Sequence, residues 1–281
     1  MTTTREQSEV DAANASERQP VVFVHGLWLL ASSWDPWRAL FEERGYATLA
    51  PGWPDDPETT EAARHDPSSF AGKGIGEVAE YHAGILRQLN RKPVIIGHSF
   101  GGLLAQKLAG MGLAAGAVAI DPAPFRGVLP LPFSALKAAS PVLRNPANRN
   151  KSVALTYDQS RFAFANAVSE EEAHELYDTY AVAASGIPLF QAALANINWN
   201  TEASVDTKNP DRGPLLIISG EKDNTVPPSI ANASYKRYKD NPGTTEIKEI
   251  KDRGHSLTID SGWPEVADTA LDFLDRHGLK A

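Results

Sequence analysis

Residues 93–106 read PVIIGHSFGGLLAQ. The first four residues form an apolar, β-branched run that favours a strand buried on both faces. The last four residues favour a helix, and between the two lies the pattern G-x-S-x-G, centred on Ser99. In a strand–turn–helix context this pattern predicts a sharp, strained turn that presents the serine hydroxyl above the edge of the sheet. Gly97 and Gly101 fit that turn because side chains at these positions would clash with the neighbouring strand and helix.

Short apolar runs recur along the chain and alternate with helix-like segments. This alternation is typical of βαβ units and predicts an α/β fold with a mainly parallel, twisted sheet flanked by helices. The predicted strands are Val21–Val24, Tyr46–Ala50, Val94–Ile96, Ala117–Ile120, Leu215–Ile218 and, more weakly, Glu246–Ile250. The predicted helices are Trp37–Glu43 (capped by Asp35), Glu77–Leu89, Phe100–Leu108 and Trp263–Leu274.

Two intervals depart from this alternation. Residues 1–19 are polar and nearly free of large apolar side chains, so we expect a disordered arm there. Residues 122–213 are too long for a loop and read as several helices, including a capping box that begins at Ser169. We interpret this interval as a helical cap inserted into an α/β core made of residues 20–121 and 214–281.

Composition limits the function classes. The 281 residues carry a net charge of −8, which argues against nucleic acid or an anionic membrane as the main partner. Cysteine is absent from the sequence, which excludes disulfides, thiolate catalysis and cysteine-ligated metals. Because neither a secretory signal nor a long apolar run is visible, we expect a cytoplasmic protein without membrane insertion.

A serine nucleophile needs a base and an acid that orients the base. His255 follows the last predicted strand, and Asp223 follows the strand before it, so both are expected at the sheet edge where Ser99 lies. The order Ser, Asp, His along the chain favours His255 as the base and Asp223 as the acid. Asp121 also ends a strand and is an open alternative for the acid, and Glu221 is a weaker one.

Hydrolysis at a carbonyl also requires donors for the oxyanion. The backbone N–H of Phe100, directly after the nucleophile, is one expected donor. The second is expected from the turn after the first strand, where Gly26 permits a tight bend. Leu27 N–H is our choice and Trp28 N–H the alternative; His25 is expected to brace this turn.

Four ordered motifs give the chain its resemblance to a known family. They are HGLW at 25–28, GHSFGG at 97–102, GEKDNTVPP at 220–228 and DRGHS at 252–256. Together they resemble the α/β-hydrolase superfamily, in particular its compact serine esterase and lipase-like members. Family members usually have eight strands, but no strand pair is evident before Val21, so a six-stranded version is expected. A serine at 99 excludes the aspartate-nucleophile mechanisms of haloalkane dehalogenases and epoxide hydrolases.

The resemblance implies hydrolysis of a carboxylic ester or lactone through an acyl-enzyme intermediate, with no metal or other cofactor. The same triad also serves lyases, perhydrolases and carbon–carbon bond hydrolases, and a non-catalytic ligand receptor on this scaffold is a further alternative. Aromatic residues near the expected mouth, Trp28, Trp34, Phe133 and Phe162, suggest a pocket for a small to medium uncharged ester. Packing of the cap on the core would explain the same side chains equally well.

Overall fold

A computed structural model describes residues 2–281. Its main sheet has six strands, all parallel, in the spatial order β2-β1-β3-β4-β7-β8. The strands of this sheet are β1 (Pro20–Val24), β2 (Ala47–Leu49), β3 (Val94–His98), β4 (Gly116–Ile120), β7 (Leu215–Gly220) and β8 (Thr245–Ile250). All six predicted strands are therefore confirmed, and so is the α/β-hydrolase architecture with a six-stranded parallel sheet.

Eleven helices accompany the sheet in the part of the chain that the structure describes. They are α1 (Thr4–Ala15), α2 (Asp35–Glu43), α3 (Thr60–His65), α4 (Ile75–Leu86), α5 (Phe100–Gly110), α6 (Phe133–Leu143), α7 (Tyr157–Ala163), α8 (Glu170–Tyr180), α9 (Ile187–Ala193), α10 (Pro228–Lys236) and α11 (Trp263–Arg276). None of the helices within residues 2–281 is both long and apolar enough to cross a bilayer.

Apolar layers cover both faces of the sheet. Along β1, Val22 and Val24 join the layer that contains residues of α4 and α5, whereas Val21 and Phe23 join the layer that contains residues of α2 and α11. Alternate residues of one strand thus meet different helices, and every residue of β1 is buried. This double burial explains why the strands read as unbroken apolar runs. Edge strand β8 read weakly because it exposes Lys248 and Glu249.

The strand order reverses direction between β1 and β3. From β1 the chain crosses to β2 on one side, and from β3 onward it proceeds to the other side. The loops that follow β1 and β3 therefore diverge at their carboxyl ends, where open α/β sheets form a crevice for ligands. Ser99 directly follows β3, and His25 directly follows β1. The topology alone brings the predicted nucleophile and the predicted oxyanion turn together.

The prediction of a disordered arm is wrong for residues 2–19, and residue 1 lies outside the described residues. The segment forms α1, with a capping box in which Thr3 and Glu6 exchange hydrogen bonds, and Val10 is 1% exposed. Glu6 and Glu9 accept hydrogen bonds from the backbone N–H groups of Gly52 and Ala50, and α1 packs beside edge strand β2. The helix is polar because it is held through carboxylate–backbone contacts as well as by its few apolar side chains.

Helix starts differ from two sequence predictions. Asp35 lies inside α2, whose N-cap is Trp34 with no side-chain hydrogen bond, because a short 3₁₀ turn (Ala31–Trp34) runs directly into the helix. The capping box at Ser169 is half formed. Its hydroxyl accepts from Glu172 N–H, but the Glu172 carboxylate accepts from Ser261 N–H instead of returning to the cap.

Residues 122–213, the interval between β4 and β7 that is called the insertion below, contain four of the helices. These are α6 to α9, and a small antiparallel pair, β5 (Ser152–Val153) and β6 (Ala184–Ser185), joins its two halves. The pair is tied to the core at Trp28, whose indole N–H donates to Val153 O at 2.9 Å. The insertion is thus connected directly to the turn that follows β1.

Candidate active site

Ser99 occupies a strained turn. Its backbone has φ 57° and ψ −120°, a region that non-glycine residues rarely adopt. A Cβ added to Gly101 would lie 1.9 Å from Val24 O, and one added to Gly97 would lie 2.0 Å from Gly101 O. Both glycines are therefore required for the strand, turn and helix to approach this closely. The Ser99 N–H donates to Ile120 O at 2.9 Å, which anchors the turn to β4.

The turn after β1 lies directly against Ser99. A Cβ added to Gly26 would lie 2.8 Å from Ser99 Cβ and 3.4 Å from Ser99 Oγ. Any side chain at position 26 would displace the serine, so the glycine permits close approach here in addition to its role in the bend. His25 braces the turn as expected: its Nδ1 lies 2.8 Å from Gly26 O, and its Nε2 lies 3.0 Å from an Asp56 carboxylate oxygen.

Asp223 and His255 form a buried pair. Nδ1 of His255 lies 2.6 Å from Oδ2 of Asp223, and the two residues are at most 3% exposed. The other carboxylate oxygen of Asp223 accepts the backbone N–H groups of Thr225 and Val226, at 2.6 and 2.8 Å. With its Nδ1 proton donated to Asp223, a neutral His255 ring carries its free lone pair on Nε2.

Ser99 is placed at the same edge of the sheet, but it is not hydrogen-bonded to His255. Among residues 2–281, Nε2 of His255 has no hydrogen-bond partner, and Ser99 is 5% exposed. Contacts of this kind are often long without substrate and shorten when substrate binds. The structure therefore brings Asp223 and His255 into contact, and Ser99 directly follows His98, whose ring centroid lies 4.6 Å from that of His255.

Asp121, the alternative acid, is close to the pair but differently engaged. One of its oxygens accepts Gly220 N–H at 2.8 Å, and the other lies 3.9 Å from Nδ1 of His255. Burial, together with the adjacent Asp223 carboxylate, raises the pKa of Asp121 well above its usual range. Glu221 is exposed and accepts the Asp252 N–H on the surface, so it is not part of this group.

His98 is a buried neighbour of the pair that the sequence analysis did not assign. Its ring centroid lies 4.6 Å from that of His255, and burial together with the nearby His255 lowers its pKa well below the usual range. Ligand atoms of His98, Asp121 and His255 lie within 4.8 Å of one another. A cation bound by all three would compete with Asp223 for Nδ1 of His255, the His255 atom that lies 3.9 Å from Asp121.

A short segment of the insertion, residues 162–166, lies between the loops that carry Asp223 and His255. The Phe164 ring packs edge-on against the His255 ring at 4.9 Å, and Phe164 O accepts Ser256 N–H at 3.0 Å. On the other side, Asn166 donates to Lys222 O at 2.8 Å. Two further donors in the acid loop reach this segment: Asn224 donates to Phe162 O at 3.0 Å and Thr225 to Ala163 O at 2.6 Å.

The expected oxyanion donors remain available. Within residues 2–281, the N–H groups of Leu27, Trp28 and Phe100 donate to no backbone acceptor outside regular structure. Trp28 holds a left-handed backbone conformation, φ 66°, which fixes the turn in which Leu27 lies. Phe100 N–H belongs to the first turn of α5, where helix donors are free for a ligand.

A largely apolar cavity of about 100 Å³ opens beside Ser99. Apart from the Trp28 indole, which donates to Val153 O, the polar side chains among its described lining are Ser99 and Thr225, and the Thr225 hydroxyl already donates to Ala163 O. The other lining residues are Trp28, Phe100, Ala123, Pro124, Leu131, Ala135, Leu136, Ala138, Ala139, Leu143, Ala163, Leu189, Ala192, Ala193, Val226 and Ile230. Alanines supply much of the surface, so the space exists because these side chains are small.

Of the four residues expected to contact substrate, only Trp28 lines this cavity. The prediction for Trp34 is wrong. Its side chain is 2% exposed and stacks on Phe23, with 5.1 Å between the ring centroids, in the apolar layer that contains residues of α2 and α11. Phe133 is 82% exposed at the start of α6 and does not line the cavity. Phe162 does not line it either; its ring lies under the Lys137 ammonium group at 3.9 Å.

The sequence analysis missed the alanine-lined wall of α6 and α9. Its signal in the sequence is small residues on one face of a helix, a pattern that helix–helix packing also produces. The sequence-based prediction named bulky aromatic residues instead, although most aromatic side chains of this chain are buried in the core.

The family model for the alpha/beta hydrolase family matches residues 21–269. The chain belongs to the alpha/beta hydrolase family. This match covers both the core and the insertion. No curated protein sequence matches the chain.

Solved structures of several hydrolases share this fold. A monoacylglycerol lipase from Paleococcus ferrophilus is 20% identical, with 92% of this chain and 94% of the other covered and a TM-score of 0.63. A thermophilic esterase from Thermogutta terrifontis is 18% identical, with 94% and 91% covered and a TM-score of 0.65. A pyrethroid hydrolase from Sphingobium faniae is 17% identical, with 92% and 97% covered and a TM-score of 0.63.

Proposed function

We propose that this alpha/beta hydrolase cleaves uncharged carboxylic esters of small to medium size. The observation that carries the proposal is the position of Ser99. It lies on a strained turn at the wall of a cavity without a charged lining residue among those described, and it directly follows His98, whose ring centroid lies 4.6 Å from that of His255. A charged substrate group would lose hydration in this cavity without gaining a partner, so neutral apolar groups fit it best.

In the mechanism that this geometry supports, Ser99 Oγ forms a bond to the ester carbonyl carbon while its proton passes to Nε2 of His255. Asp223 holds the Nδ1 proton and stabilises the imidazolium that results. The Leu27 and Phe100 N–H groups donate to the oxyanion. His255 then gives its proton to the departing alcohol. In the second half, a water attacks the acyl carbon and passes a proton to Nε2 of His255. The bond between Ser99 Oγ and the acyl carbon then breaks, His255 returns that proton to Oγ, and the carboxylic acid leaves.

The structural neighbours are consistent with this reaction class. A monoacylglycerol lipase, an esterase and a pyrethroid hydrolase share the fold over nearly their whole length. At 17–20% identity they support the fold alone, so the reaction rests on the residues of this chain. Use of the triad for a lyase reaction would need a further acid or base that reaches the substrate. No lysine lines the cavity, and the Thr225 hydroxyl is already committed to Ala163 O.

The test is hydrolysis of p-nitrophenyl esters from acetate to palmitate, with wild type beside Ser99→Ala. We expect the wild type to hydrolyse these esters, with an optimum at an acyl chain length set by the cavity. Ser99→Ala should lower the hydrolysis rate by at least about 10³-fold. Labelling by a fluorophosphonate provides the second readout. An unchanged Ser99→Ala rate would refute the nucleophile. Labelling without hydrolysis of any ester would refute the substrate class, and a wild type that neither labels nor hydrolyses would indicate a ligand receptor.

A further inference from the structure

Large apolar side chains are exposed mainly in one region of the described chain. Nine are exposed by 36% or more, and seven of these belong to the insertion segments 126–136 and 194–203. We call these seven the mouth patch: Leu129, Leu131, Phe133, Leu136, Leu194, Ile197 and Trp199. Phe133 and Trp199 are each 82% exposed. Contiguous exposed apolar surface of this kind marks an interaction site more often than scattered apolar residues do.

The two segments form one face. Gly127 N–H donates to the Asn196 side chain at 2.7 Å, and the Asn196 amide donates back to Val128 O at 2.9 Å. The Arg126 guanidinium donates to Trp199 O at 2.8 Å and lies 4.3 Å from the Trp199 ring centroid. These contacts hold the exposed side chains of both segments next to one another.

The mouth patch borders the cavity beside Ser99. Leu131 and Leu136 line that cavity and are also 61% and 47% exposed, so the cavity opens between members of the patch. A molecule seated on the patch would have a short apolar path to the nucleophile.

Two cations accompany the mouth patch in a protein whose net charge is −8. The Arg126 guanidinium lies on the Trp199 ring, and Lys137, exposed on α6, follows Phe133 by one helical turn. The carboxylate within these segments, Glu202, accepts hydrogen bonds from Gly76 N–H and from the Gln191 side chain. Projecting apolar side chains with flanking cations are the combination that binds an anionic lipid surface.

We propose that the mouth patch docks on the surface of an anionic lipid bilayer, so that apolar esters held in the lipid enter the cavity from it. The acidic remainder of the protein would face away from the same surface, which fixes the orientation of docking. The idea rests on the proposed function for its substrate route, whereas docking itself does not require hydrolysis.

The test is co-sedimentation of the full chain with vesicles of phosphatidylglycerol and, separately, of phosphatidylcholine. We expect partitioning into the anionic vesicles that weakens with salt, and little into the neutral ones. Phe133→Ser with Trp199→Ser should lower partitioning by at least about tenfold. Lys137→Gln should lower it by about fivefold. The matched control, Tyr235→Ser with Lys236→Gln, alters an exposed aromatic and a cation on α10 and should have no effect.

Trp199 supplies a direct signal. We expect a blue shift of tryptophan emission on adding anionic vesicles, absent in Trp199→Phe, which still sediments with them. No partitioning of wild type, or an equal loss in the α10 control, would overturn the proposal. So would a concentration-dependent dimer that the patch variants abolish, because the occupant would then be a second copy. Ser99→Ala separates the two proposals: it should lose hydrolysis and keep docking.

Discussion

Asp121 and Asp223 are buried carboxyl groups that face the same ring nitrogen of His255, at 3.9 and 2.6 Å. Two neighbouring buried carboxyl groups cannot both ionise cheaply. Two backbone N–H groups and the imidazole serve Asp223, whereas Asp121 has one backbone donor and a pKa raised by burial and by Asp223. The geometry therefore favours Asp223 as the carboxylate that orients His255.

The first prediction separates these two acids. Asp223→Asn should lower kcat for the best ester by about 10⁴-fold, because an amide in that position favours the wrong imidazole tautomer. Asp121→Asn should keep activity within about tenfold, because the amide oxygen can still accept the Gly220 N–H. The measurement is steady-state hydrolysis by both variants, with circular dichroism to verify folding. The reverse ranking would place the acid after β4.

The second prediction concerns the turn at Ser99. Gly101→Ala should destabilise the protein by at least about 4 kcal/mol or prevent folding, because the new Cβ would lie 1.9 Å from the backbone oxygen of Val24. Gly84→Ala is the control. This glycine lies inside α4, no atom lies within 4 Å of an added Cβ, and alanine should stabilise the helix by about 0.5–1 kcal/mol. Thermal unfolding of both variants checks the contrast.

The third prediction concerns the size of the cavity. Ala139→Leu should shift the preferred p-nitrophenyl ester to a shorter acyl chain and lower kcat/KM for the longest accepted ester by about tenfold, since extra methyl groups occupy the space. Ala147→Leu makes the same chemical change at an exposed position of the insertion outside the cavity and should leave the chain-length profile unchanged. Equal profiles for Ala139→Leu and wild type would place the acyl group elsewhere.

The fourth prediction is a pH dependence of stability. His82 is fully buried, its Nδ1 donates to Val78 O, and burial lowers its pKa to about 4. In the unfolded chain this imidazole is protonated below about pH 6.5, whereas in the native protein it stays neutral until about pH 4. His82 therefore lowers the free energy of unfolding as the pH falls from about 6.5 to 4. Between pH 7 and 5 the loss should be about 2 kcal/mol.

Urea unfolding at both pH values measures this loss. His82→Gln should remove that part of the pH dependence, whereas His65→Gln, at an exposed position, should retain it. Parallel curves for wild type and His82→Gln would contradict the assignment.

The sequence predicted most of what lies along the sheet edge. Strands that are buried on both faces appear in the sequence as unbroken β-branched runs. Because the strands are parallel, the residues that follow their carboxyl ends lie at one edge of the sheet. Positions 99, 223 and 255 could be selected for that reason. Asp121 could not be demoted from sequence, because its engagement with Gly220 depends on how β4 and β7 pair.

Other features depend on contacts distant in sequence. The polar α1 looked like an arm because its carboxylates bind backbone N–H groups more than 40 residues away, which no local pattern records. Trp34 looked like a lining residue, although it completes an aromatic cluster with Phe23 and Trp37. The contact of Phe164 with His255 joins the insertion to the loop after the last strand, so no local pattern indicates it.

Through residues 162–166, the insertion supports the two loops that carry Asp223 and His255. Its contacts join Lys222, Asn224 and Thr225 on one side to Ser256 on the other, and the Phe164 ring covers His255. A hinge motion that lifted the whole insertion would detach both loops from their support. Swapping the insertion for that of another family member would likewise transplant the support for acid and base, so a chimera designed to alter substrate choice should retain these five residues of the host.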